Sequence, residues 1–410
     1  MKKRAVASRE TPSAATRIDL APIAETLLNW AAARNFQGVD PYDALTSPFA
    51  DLLSFKTRFG RISLTQLLRR SPINLRPLLR VKPGTNPKAV ALFLEGVVRL
   101  VDLAAFSASA SDYRRLAATL AERLLALRSP SASGAAWGYD FPWQNRFQLL
   151  PARTPTAVNT AFAGFALLDA IRKRRAAQSA IDAVASIPNF YLKDLRRLKA
   201  DGSTFCFSYT PLDDNFVHNA NMLGASLLAR IAVEFDRSEL LDPALSALEY
   251  SMKRQRADGA WFYAERTEQR WIDSFHTGFN LEALRTFLQL GLAREWQDGY
   301  RQGVEYYAAN FFLEDGAPKY YADRFYLADV HAPTEALCFF ATEPRFEGLV
   351  AKILNWTLEN LFDRKRGTFY FRKSKTFTIK IPYMRWSQAW AFRALARLLE
   401  AEDARTRRKN

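Results

Sequence analysis

The sequence predicts an all-α fold, an α/α toroid (barrel) of about six helical hairpins with inner and outer helix rings. Three observations predict it. Two kinds of helix alternate along the chain, one apolar around most of its circumference and one with a single apolar stripe. Loops that join a glycine to aromatic residues recur: Gly202 to Gly259 is 57 residues, Gly259 to Gly316 is again 57, and Gly316 to Gly367 is 51. No Pro/Gly/Ser-rich linker divides the pattern, since SPSASGAAW at 129–137 falls inside it.

The elements follow in order. RIDLAPIAETLLNWAAARNF reads as an outer helix near the start. NPKAVALFLEGVVRLVDL is the first inner helix and SDYRRLAATLAERLLALR the outer helix after it. TAVNTAFAGFALLDAI, VHNANMLGASLLARIA, FHTGFNLEALRTFL, VHAPTEALCFFA and RWSQAWAFRALARLL complete the inner ring, because small and apolar residues cover most of their faces. Between them SELLDPALSALEYSMKRQ, EWQDGYRQGVEYYAANFF and FEGLVAKILNWTLENLF repeat apolar residues every three or four positions, as a half-exposed helix does. The glycine loops themselves read GYDFPW, DGSTFCFSY at Asp201, DGAWFYAE, DGAPKYYAD and RGTFYFRK; their Trp137, Trp261 and Phe369 are assigned to packing. One toroid domain over 18–402 results, flanked by basic tails at 1–17 and 403–410, the first expected to be disordered.

Composition narrows the function classes. Of 410 residues 49% are apolar, so a large core can form, and no run of 18 apolar residues suggests a membrane span. The N-terminus lacks the apolar stretch of a secretory signal. Cys206 and Cys338 stand alone, without CxxC spacing, which argues against a disulfide framework and fits a reducing cytoplasm. The net charge of +16 favours anionic partners or a solvated basic face. No zinc-finger spacing, RNP-type strand or continuous basic helix accompanies it, so sequence-specific nucleic-acid binding is not expected.

The three histidines, His218, His276 and His331, each open an inner helix, 58 and 55 residues apart. The same register gives Asn159 upstream by 59 and Trp386 downstream by 55. In a toroid these helix starts surround one end of a central funnel, so the five positions are expected to converge there. The competing reading is a helix cap, a role that Asp214, Asp273 and Asp329 fill better. Helix N-termini favour an anion in either case. Tyr139, Asp140, Trp143 and Arg146 precede the second inner helix, and Arg270 and Trp271 the fourth; Asp329, Tyr383 and Arg385 precede the last two. Aromatic faces stack on sugar rings, and acids, amides and arginines bond hydroxyls or charges.

Four segments carry a resemblance: NFQGVDPYDAL at 35–45, YDFPWQNR at 139–146, TPTAVNTAF at 154–162 and WFYAERTEQRWIDSFHTGFNLEAL at 261–284. They resemble bacterial proteins associated with exopolysaccharide or capsule biosynthesis, along most of the chain. DGAW at 258–261 resembles the glycine–aromatic repeat of terpenoid cyclases, which share the toroid superfamily with protein prenyltransferases, six-hairpin glycosidases and sugar epimerases. The resemblance implies a role around polysaccharides, with a carbohydrate partner and no fixed chemistry.

Several chemistries stay open. Histidine suits proton transfer near neutral pH. Two histidines on opposite faces of a sugar, with Arg146 or Arg270 holding the developing charge, would serve an epimerase or a lyase. A hydrolase needs two facing carboxylates, for which Asp140, Asp214, Glu265, Asp273 and Asp329 are candidates. The catalytic set is therefore His218, His276, His331, Asp273, Glu265 and Asp214. Zinc on the three histidines is an alternative, disfavoured because no HxxxH pair exists, and no cofactor is expected. A terpenoid-cyclase-like enzyme is a further alternative, although PLDDNFVH at 211–218 offers only the pair Asp213–Asp214 toward a cyclase DxDD or DDxxD motif. A non-catalytic glycan- or partner-binding toroid is the remaining alternative.

Overall fold

The computed structural model describes residues 18–199, 202–325 and 327–409. The N-terminal tail at 1–17 and Asp201 of the second glycine loop lie outside the described residues. Fourteen α-helices are present among the described residues. They are α1 (Ala21–Ala32), α2 (Ala50–Ser54), α3 (Arg58–Arg70), α4 (Pro87–Leu100), α5 (Ala110–Ala126), α6 (Ala157–Arg172) and α7 (Gln178–Asn189). The second half holds α8 (His218–Glu234), α9 (Leu241–Met252), α10 (Ser274–Gln289), α11 (Gln297–Asn310), α12 (His331–Phe340), α13 (Glu347–Asn360) and α14 (Trp390–Lys409).

The even-numbered helices from α4 to α14 pack each on the next, and α14 packs back on α4, which closes the inner ring. Helices α5, α7, α9, α11 and α13 each cover the inner helix before them, and α1 covers α14. The first outer helix thus completes the last hairpin. Burial follows the two patterns in the sequence. Thirteen of the sixteen residues of α6 are buried, while α5 buries only Tyr113, Ala117, Leu120, Ala121 and Leu124, one stripe of a helix. Helix α14 runs through Lys409, so residues 403–409 continue a helix instead of forming the expected tail.

The repeat glycines have a geometric reason. Gly259 (φ +90°) and Gly316 (φ +89°) adopt a conformation that side chains disfavour. A Cβ would lie 2.5 Å from the Gln302 carbonyl carbon at the first and 2.4 Å from that of Lys352 at the second. Each glycine lets its loop lie against the backbone of the next outer helix.

Two features bear on the site. An insertion between α1 and α4, to which the sequence reading assigned no helix, carries α2 and α3 on a small core of Ala44, Ala50, Leu64, Leu68 and Val81. Arg76 ties it to the toroid through Nη1, which donates to the Tyr383 hydroxyl (2.9 Å), while Nε and Nη2 brace the segment itself on Asp43 (2.7 Å) and the Asp40 carbonyl (2.6 Å). A π-turn, Met384–Ala389, leads into α14 and carries Arg385 and Trp386. No described helix is long and apolar enough to cross a membrane.

Candidate active site

A cavity of about 940 Å³ opens at the N-terminal ends of the inner helices. His276 lines it from the third position of α10. Asp273 caps that helix by accepting from the His276 backbone N–H at 3.1 Å. The other oxygen of the same carboxylate accepts the ring Nδ1–H at 2.7 Å and the Trp271 indole N–H at 3.0 Å. One buried acid therefore fixes the ring's orientation and tautomer, leaving Nε2 as the free lone pair. Tyr263 packs on the imidazole at 4.6 Å and stacks on Trp271 at 4.7 Å.

His331 lies one aromatic ring away. Phe275 is 4.3 Å from the His276 ring and 4.4 Å from that of His331. Trp386 (4.8 Å) and Trp390 (4.3 Å) enclose His331 further. It is buried, yet neither ring nitrogen has a hydrogen-bond partner in the protein. Burial, reinforced by the nearby Lys88 and Arg385 cations, holds its pKa well below the usual histidine value, so the ring is neutral at pH 7. Lys88, at the second position of α4, also lines the cavity, its Nζ 4.1 Å from the centre of the Phe162 ring. Burial pushes its ammonium well below the ordinary lysine range.

The walls are aromatic and basic. Tyr139 and Tyr209 share a hydrogen bond (3.2 Å), and Trp143 sits edge-on to Tyr139 at 5.8 Å. Seven basic side chains face the space: Lys88 and Arg69, Arg70, Arg146, Arg324, Arg372 and Arg385. Asp273 is the single carboxylate among the described lining residues. Two arginines are held from behind. Arg385 forms a two-pronged pair with Asp40 (2.6 and 2.8 Å), and Arg372 donates to Asp329. Asp329, fully buried, also accepts from the Trp386 indole (2.7 Å) and the His331 backbone N–H (3.0 Å). It positions Trp386 and Arg372 without lining the cavity itself. Arg146 crosses the face of Trp271 at 5.7 Å and donates to the Glu268 carbonyl.

Other expected members turn elsewhere. His218 is buried between α8 and α9, with Nδ1 3.1 Å from the Ser251 hydroxyl and Nε2 3.6 Å from Glu265. Glu265 is engaged there too, by Arg254 (2.6 Å) and the Tyr250 hydroxyl (2.9 Å). Asn159 is buried in the wall of α6, while its neighbour Val158 faces the cavity. The next residue, Asn219, takes the inward position that His218 was expected to hold, one step of about 100° around the helix. Position from the helix start does not decide the face: His218 and His331 each open a helix and Asn159 and His276 are each third, yet only His331 and His276 line the cavity. Because His218 points away, the three histidines do not converge on the cavity.

Four more corrections concern charge and packing. Asp214 is exposed and pairs with Arg196 at 2.7 Å, while Asp213 closes its own turn by accepting from the Thr210 hydroxyl and the Asn215 N–H. Asp140 faces a separate pocket of about 200 Å³ and accepts from Asn86; burial raises its pKa to about 6. Arg270 is exposed beside Phe262. Tyr383 is buried against Arg76. Lys88, Arg69 and Arg372 were missed by the sequence reading. Only Lys88 carried a signal, a lone cation in the apolar run NPKAVALFLEGVV.

No protein-family description matches the sequence, and no curated protein is similar to it. Solved structures are similar in shape. A cellobiose 2-epimerase from Bacillus thermoamylovorans superposes with a TM-score of 0.60 at 12% identity, over 80% of this chain and 90% of that one. A glycoside hydrolase family 76 mannosidase from Bacteroides thetaiotaomicron gives 0.59 at 9% identity, over 95% and 100%. A family 88 glycosyl hydrolase from Bacteroides vulgatus gives 0.54 at 9%, over 78% and 91%. The shared fold is the α/α toroid. At these identities the likeness concerns the path of the chain, and the side chains of the cavity argue for themselves.

Proposed function

We propose that this toroid is a carbohydrate-active enzyme that moves a proton on an anionic sugar, in the manner of an epimerase or lyase. The observation that carries the reading is the pairing of His276, oriented by Asp273, with the neutral His331 in one basic, aromatic-walled cavity. Nε2 of His276 would take a proton from the carbon next to a carbonyl or carboxylate, and Asp273 would stabilise the imidazolium that results. The neutral His331 would donate a hydrogen bond to the oxygen where negative charge develops, with the surrounding cations supporting it. Trp143, Tyr139 and Trp271 would stack on sugar rings. The hydrolytic alternative needs a second carboxylate across the bond, and among the described lining residues Asp273 is alone.

The shape of epimerases and sugar hydrolases supports a carbohydrate, and the resemblance to polysaccharide-biosynthesis proteins supports a polymer precursor or product as its source. The test combines binding and exchange. Uronic acids and phosphorylated sugars are expected to quench the fluorescence of Trp143, Trp271 and Trp386. In deuterium oxide the bound sugar should acquire deuterium next to its carbonyl or carboxylate, read by NMR. Equal affinity for neutral sugars would contradict the anionic specificity, and binding without exchange would return the protein to a glycan-binding role.

A further inference from the structure

The insertion between α1 and α4 presents apolar side chains that the fold leaves outside. The six most exposed large apolar residues among those described are Leu52 (72%), Phe55 (81%), Phe59 (81%), Leu67 (58%), Ile73 (69%) and Leu78 (76%), all on this one element. Single exposed apolar residues are common, but a cluster marks an interaction surface. Phe55 and Lys56 are successive non-glycine residues in the left-handed region (φ +51° and +54°), a disfavoured conformation that leaves Phe55 in water. Folding gains no burial from that arrangement.

Charge identifies the occupant. Residues 45–82 contain eight Lys or Arg against one Asp, a net +7 of the chain's +16. Lys56, Arg58, Arg70, Arg80 and Lys82 are exposed among the apolar groups. Apolar side chains interleaved with surface cations match the boundary layer of a bilayer carrying anionic lipid. We propose that the insertion docks on an anionic membrane surface, its phenylalanines and leucines entering the headgroup layer and its cations meeting lipid phosphates. The Arg76–Tyr383 bond and the Asp40–Arg385 pair fix it as a platform on the toroid. Ile62, Gln66 and Arg69 of the same α3 line the cavity, so docking holds the mouth beside the bilayer. The proposal stands on this surface and does not depend on the reaction inside.

The test is flotation of the full chain with vesicles of phosphatidylcholine alone or with added phosphatidylglycerol, which makes the surface negative. Binding is expected to the anionic vesicles only, and to weaken with salt. The double variants Phe55→Ser/Phe59→Ser and Lys56→Glu/Arg58→Glu should each lose at least about tenfold in affinity. Their circular dichroism and melting should match the parent, since the positions are exposed. Absence of vesicle binding, equal binding to neutral vesicles, or variants that bind like the parent would overturn the proposal. So would self-association of the parent that Phe55→Ser/Phe59→Ser abolishes, which would assign the surface to a second copy.

Discussion

Asp273 serves His276 twice, capping its helix through the backbone and holding its ring through Nδ1. The two roles separate on substitution. Asparagine caps a helix as well as aspartate does, but it cannot stabilise the imidazolium. Asp273→Asn is therefore expected to keep the melting temperature within a few degrees and to lower kcat at least about hundredfold. A kcat near that of the parent would remove Asp273 from the mechanism. His218 makes a different prediction. Burial lowers its pKa to about 4, below the ordinary value near 6.5. Between these values the unfolded chain binds a proton that the native state refuses, so acidification from pH 6.5 to 4 removes stability. The raised carboxyls of Asp43 and Asp140, both near 6, act in the opposite sense as pH rises, in parent and variant alike. The loss on acidification should thus be shallower in His218→Gln, measured by melting temperature against pH; parallel curves would show that His218 is not held neutral.

At the scale of the element, the ring helices were legible because burial on all sides and burial on one stripe leave different apolar patterns, as α6 and α5 show. Part of the glycine spacing has a shared cause: at Gly259 and Gly316 the loop lies against the backbone of the next outer helix. Gly259→Ala should accordingly cost more than Gly202→Ala, about 1–3 kcal/mol more. Both positions have positive φ, but only at Gly259 does a Cβ meet backbone. Equal losses in chemical denaturation would contradict this account of the repeat. The candidate site was legible only in part. His276, His331 and Trp386 face the cavity as their register suggested, whereas His218 and Asn159 do not. A residue count locates the turn of a helix, but one residue more or less rotates the side chain by about 100°, so the count leaves the face open. The α2–α3 insertion escaped because its apolar residues serve no toroid stripe, and Arg372 because it enters from a loop pairing with the Ala328–Asp329 strand.

At the scale of the molecule, charge joins the inner ring below the cavity. Arg393 of α14 bonds Glu95 of α4 (2.9 Å), Glu282 of α10 (2.8 Å) and Glu335 of α12 (3.1 Å), all largely buried. One guanidinium thus joins four of the six inner helices. Arg393→Met would leave three carboxylates underpaired and is expected to cost about 3–5 kcal/mol; a loss under about 1 kcal/mol in urea unfolding would show that packing alone closes the ring. Above that layer the cavity opens, where side-chain direction separates His276 and His331 from His218. Solvent deuterium incorporation into a bound anionic sugar, compared between His276→Asn and His218→Asn, tests this most directly. The account predicts that His276→Asn loses at least about hundredfold in rate, while folded His218→Asn exchanges at nearly the parent rate. Undiminished exchange in His276→Asn, or equal loss in both, would contradict it.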